Sequence, residues 1–154
     1  MEKEVNLKSK SKEEVKKFWQ KKEEEIGESI QGKSIAEYME GYQDFNKHCW
    51  GLLYYTNSAF YFQTFPRKNW LMSLIKSGDN YEDEKIITFK IDWKEVVEIN
   101  LPPKKKSIFA LFSPPDNRLF INYRNNSQIL TMILSMYSRK EQIKFRQFFQ
   151  HKGK

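Results

Sequence analysis

Very few residues of this chain have the types and spacings that chemistry requires. The two histidines, His48 and His151, lie far apart, and neither has a second ligand at the short spacing a zinc site uses. Acidic residues fall in runs, EEE at 23–25 and EDE at 82–84, the pattern of a solvated face rather than of an acid and a base set across a reacting bond. No serine sits in a nucleophile elbow, and no glycine-rich phosphate loop is present. Cys49 is the only cysteine, so no disulfide can form within the chain, and it reads as a small buried side chain. The expectation is a protein without catalytic residues, metal or cofactor.

Positive charge is the chemistry that remains. Residues 1–33 hold nine Lys and eight Glu (+1), residues 34–100 seven Lys/Arg and ten Asp/Glu (−3), and residues 101–154 eleven Lys/Arg and two Asp/Glu (+9). A basic last third suits an acidic partner: lipid head groups, nucleic acid or an acidic protein. A lone cysteine fits a reducing compartment. The N-terminal stretch MEKEVNLKSKSKEEVKK has no apolar signal-peptide core, and no apolar run approaches the ~20 residues of a membrane span. A cytoplasmic protein is expected, one able to attach to a membrane from outside.

Several elements can be read along the chain. Residues 1–10 read as a frayed start, and a capping box at Ser11 and Glu14 predicts a helix over 12–26, ended near Gly27. Its stripe is Val15, Phe18, Trp19 and Ile26. It docks on the protein's own body, meets a partner groove or lies at a membrane interface, the last disfavoured by the acidic residues among its lysines. Ile35, Tyr38, Met39 and Tyr42 recur at three and four residues and predict a short second helix. From Cys49 the period becomes two. Strands are expected at 49–55, 59–65, 70–75 and 87–93, the last running on toward Leu101 before Pro102 and Pro103 stop it. Further strands are expected at 108–112, 118–124 and 129–136, followed by a helix over 139–150 that Ser138 and Glu141 cap. Residues 76–85 form an acidic loop. This divides the chain into a charged helical arm, 1–33, and a strand-rich body, 34–154.

About seven short antiparallel strands closed by an amphipathic C-terminal helix resemble the pleckstrin homology (PH) superfold, including its GRAM-like and bacterial PH-like branches. The residues that carry the likeness are GLLYYTNSAFYFQ, read as the first hairpin, then ITFKIDWKEVVEINLP, RLFINYRN and SRKEQIKFRQFFQ, over about residues 49–150. The resemblance implies a mainly β (α+β) barrel with an N-terminal helical extension. In such a barrel alternate residues of each strand point inward. The hairpin's rings then form core wall, with Tyr54 and Tyr61 the candidates to face outward, and Phe145, Phe148 and Phe149 plug one open end.

In PH domains that bind phosphoinositides, basic residues cluster around the first hairpin. Here residues 51–66 contain no Lys or Arg, which argues against inositide binding at that mouth. The anionic-ligand candidates lie elsewhere. Arg67 and Lys68 follow the second expected strand and Lys104, Lys105 and Lys106 the fourth, which in a simple meander places all five on one rim. Three readings follow. The first is a non-catalytic PH-like adaptor that contacts another protein, with Phe18, Trp19 and Trp70 as contact candidates. The second is peripheral attachment to an anionic membrane through the basic rim. The third, less favoured, is single-stranded nucleic-acid binding, with Trp70 beside Arg67 and Lys68 as a stacking platform. Oligomeric state is left open.

Overall fold

Gly27 ends the first helix because it can take the left-handed conformation (φ +77°) that lets its N–H bond back to the Glu23 carbonyl at 2.8 Å. The structure, a computed structural model, describes residues 2–65, 86–103 and 108–152. Helix α1 covers Glu2–Ile26, so its helical backbone continues through Ser11, where the capping-box pattern places a start. Seven strands follow among the described residues: β1 (Gly32–Glu40), β2 (Cys49–Tyr55), β3 (Ala59–Thr64), β4 (Thr88–Asp92), β5 (Val96–Asn100), β6 (Arg118–Asn125) and β7 (Gln128–Met136). Helix α2 (Arg139–Lys152) closes the chain. The strands form one antiparallel sheet in the order β4-β3-β2-β1-β7-β6-β5. This is the expected barrel of seven strands with a helical cap.

Among the described residues the strands number seven, but their membership differs from the expectation. Residues 32–40 are a central strand rather than a helix. Ala36 and Tyr38 are buried and their neighbours are not, a period of two that the chance spacing of Ile35, Tyr38, Met39 and Tyr42 conceals. Residues 108–112 are not a strand. Ile108–Leu111 form a 3₁₀ turn with no sheet partner. Residues 87–101 break into β4 and β5 at a 3₁₀ turn, Trp93–Glu95. The expected strand at 70–75 and the acidic loop at 76–85 lie outside the described residues. The 129–136 segment is a strand, as expected.

Nearly every side chain of β2 and β3 is buried, on both faces. Leu53, Tyr55, Phe60 and Phe62 face the main core, while Leu52, Tyr54, Ala59 and Tyr61 face the other way, under Phe18, Trp19 and Ile26 of α1. The aromatic hairpin therefore serves two cores. Tyr54 and Tyr61 do point out of the barrel, stacked at 5.2 Å, but α1 covers them, with the Trp19 ring edge-on to Tyr54 at 5.6 Å. Burial pushes the Tyr54 hydroxyl up to about 12, with Tyr61 beside it adding to the effect.

Trp93 locks the corner between β4 and β5. Its indole N–H donates to the Thr56 carbonyl at 2.9 Å, and its backbone N–H to the Ser58 carbonyl at 2.9 Å. Around the indole stand Tyr55, Phe60, Phe145, Phe148 and Phe149, with ring centroids 5.3 to 6.2 Å away. Phe145, Phe148 and Phe149 come from α2, which plugs this end of the barrel as expected. Its capping box is only half formed. Ser138 Oγ accepts from the Glu141 N–H at 3.4 Å, but the Glu141 carboxylate accepts from Ser34 Oγ at 2.7 Å instead of turning back to the cap.

Candidate functional site

β1 displaces the hairpin assignment made from sequence. The first hairpin is β1–β2, and its loop is residues 41–48, not Thr56-Asn57-Ser58. This loop folds onto the barrel end. Tyr42 stacks on Phe89 at 4.1 Å and lies parallel to Tyr123 at 6.2 Å. Tyr38 donates to the Phe45 carbonyl at 2.6 Å and accepts from the Tyr42 N–H at 2.8 Å, while Tyr123 donates to the Gly41 carbonyl at 3.0 Å. Burial raises all three tyrosine hydroxyls above their usual range, which keeps them protonated as donors. The loop carries Lys47 and Asp44, and His48 sits 3.0 Å from the Glu37 carboxylate. It fills the barrel end with rings and offers no cluster of cations.

The β5–β6 connection is different. Its base is pinned. Asp116 grips Arg118 through two contacts of 2.9 and 2.8 Å, the Asn117 carbonyl accepts from the Met136 N–H at 2.8 Å, and Gln142 of α2 donates to the Arg118 carbonyl at 2.8 Å. Beyond that base the chain turns tightly, with the Phe112 N–H bonded to the Phe109 carbonyl at 3.2 Å. Ile108, Phe109, Leu111 and Phe112 are between 79% and 87% exposed. Tyr137, bonded to Asn117 through its carbonyl, adds another ring at 75% exposure beside the base. Soluble surfaces rarely present so many large apolar side chains together. Pro102 and Pro103 precede this tip and Pro114 and Pro115 follow it, and Lys104, Lys105 and Lys106 come immediately before it in sequence.

The other predicted residues are distributed as follows. Phe18 and Trp19 are half-buried against β2 and β3. Arg67, Lys68, Trp70, Lys104, Lys105 and Lys106 lie outside the described residues. β3 and β5 run in opposite directions in the sheet, so Thr64 and Asn100 leave toward opposite ends. Among the described residues, no group of three or more His, Cys, Asp or Glu converges as a metal site would require, and no helix is long and apolar enough to cross a membrane.

No family model and no curated protein matches the chain. Solved structures do. The hSac2 domain from the human phosphoinositide phosphatase Sac2 superposes with a TM-score of 0.56 at 14% identity, over 90% of this chain and 80% of that one. The C-terminal domain of an unknown protein from Leishmania infantum gives 0.53 at 15% identity, over 91% and 99%. The DH/PH domains of p115-RhoGEF give 0.50 at 5% identity, over 81% of this chain and 30% of that one. The fold is PH-like. At these identities the likeness extends to architecture alone.

Proposed function

We propose that this PH-like domain is a non-catalytic binding module that docks on an anionic membrane surface, at a cytoplasmic face, through its β5–β6 tip. The observation that carries the reading is the exposure of Ile108, Leu111 and Phe112 on a turn whose C-terminal leg is fixed to β7 and α2. A rigid base matters because an apolar group that must be held out in water gains most when it enters a bilayer without first being ordered. Full burial of one such side chain is worth roughly 1.5–3 kcal/mol, and each nearby lysine adds ~1 kcal/mol at an anionic surface. Two weak signals, apolar and cationic, together give reversible attachment where either alone would be marginal.

An adaptor role resting on Phe18 and Trp19 has less support, since both rings pack inside the chain. A protruding tip of four side chains is also small for a protein interface, where standard complexes bury about 800 Å² per partner.

Co-sedimentation with neutral and anionic vesicles across a salt series tests the proposal. The full chain should pellet with anionic vesicles only, and added salt should weaken binding. Reversing Lys104, Lys105 and Lys106 to Glu should lower the partition coefficient about 100-fold, since at least three contributions of ~1 kcal/mol are lost. Equal binding to neutral vesicles, or an unchanged partition in the variant, would remove the role assigned to the lysines.

A further inference from the structure

A second basic feature lies away from the tip, where α1 crosses the start of β1 and one turn of α2. An open cleft of about 730 Å³ is lined there by Lys12 and Lys16 of α1, Lys33 of β1 and Lys144 of α2, with Trp19 and Ile30 in its wall. Among the described residues, none of the four ammonium groups makes an ion pair. Lys33 lies over the Trp19 ring at 4.7 Å. Glu23 is the one acid among the lining residues, and one of its oxygens already accepts from the Ile30 N–H at 2.8 Å. The floor is fixed. Ile30 and Trp19 belong to the cluster that seals α1 on β2 and β3, and the Gln31 N–H donates to the Tyr55 carbonyl at 2.8 Å.

We infer that this cleft is a binding site for a compact, multiply charged phosphate-bearing anion. Lys12 and Lys16 are one helical turn apart on one face of α1, where like charges repel. Two more cations from separate elements join them, and no carboxylate of the described residues pairs with any of the four. A ligand with several phosphate oxygens would relieve that repulsion. Ammonium groups on flexible stems, each with three donors, suit the spread of oxygens on a tetrahedral phosphate better than a planar carboxylate. The volume falls within the about 300–1,000 Å³ typical of small-molecule clefts, and the indole supplies an apolar wall. The site uses no residue of the β5–β6 tip, so it stands or falls separately from membrane docking. The phosphate groups could be presented by a soluble metabolite or by a lipid head group.

Titration calorimetry of the full chain with tripolyphosphate is the test. Saturable 1:1 binding is expected. Lys33→Gln/Lys144→Gln should weaken it at least tenfold, while Lys94→Gln, an exposed lysine outside the cleft, leaves it unchanged. Both cleft substitutions keep most of the side-chain stem, and an unaltered melting temperature will show that α1 remains seated. The source is read from vesicles carrying phosphatidic acid. If sedimentation depends on Lys33 and Lys144 and tripolyphosphate competes, a head group is the ligand; binding of tripolyphosphate alone assigns a soluble one. Either result upholds the site. Non-saturating binding, or equal loss in Lys94→Gln, overturns it.

Discussion

Phe145→Ala is expected to destabilise the domain by about 3–5 kcal/mol, the usual effect of truncating a fully buried phenylalanine. Phe145 is 1% exposed and touches Tyr55 (5.3 Å), Phe60 (5.5 Å) and Trp93 (5.6 Å) between ring centroids. These three rings come from β2, β3 and the corner before β5, so a single side chain of α2 ties together the parts of the barrel that its strands alone do not close. Loss of the ring leaves a void bordered by large aromatics that cannot collapse into it without leaving their rotamers. Chemical denaturation should show a lower midpoint with an unchanged slope. A loss below about 1 kcal/mol would mean that α2 does not plug the barrel.

The second large effect concerns the tip. Leu111→Ser/Phe112→Ser should lower the partition onto anionic vesicles by roughly 100-fold, on the basis that two apolar side chains worth about 1.5–3 kcal/mol each enter the bilayer in part. The same variant should leave stability unchanged or slightly raised. Leu111 and Phe112 are more than four-fifths exposed in the free protein, so folding gains little from them. This contrast is diagnostic. A core residue loses stability when made polar, whereas a docking residue loses binding alone. A clear fall in melting temperature would place these side chains in the fold instead.

Much of the fold is legible in residue order because its signals are local. Ser138 with Glu141, the two-residue Asn126-Ser127 turn with Asn126 in the left-handed region (φ 55°), and the alternation of Leu119, Ile121 and Tyr123 each mark their element alone. β1 reads falsely as a helix because Ile35 and Met39 lie on its less buried side, so the apolar residues do not mark the buried face. The tip reads falsely as a strand for a related reason. An apolar run signals burial only if something covers it, and coverage is tertiary. The bracketing by Pro102-Pro103 and Pro114-Pro115 is the clue in the sequence that IFALF belongs to a connection. For the lysine cleft there is no such clue. Lys12 and Lys16 look like any solvated helix face until the fold brings Lys33 and Lys144 beside them.

The most direct test of the central claim is whether the tip itself enters the bilayer. Phe112→Cys, made in a Cys49→Ser background so that one thiol remains, can carry an environment-sensitive fluorophore. On adding anionic vesicles to the labelled chain, the emission should shift to the blue and become accessible to quenchers held within the acyl chains. Neutral vesicles should cause no such change. If the protein sediments with anionic vesicles while the label stays in water, the β5–β6 tip is not the docking element and membrane attachment must use another surface.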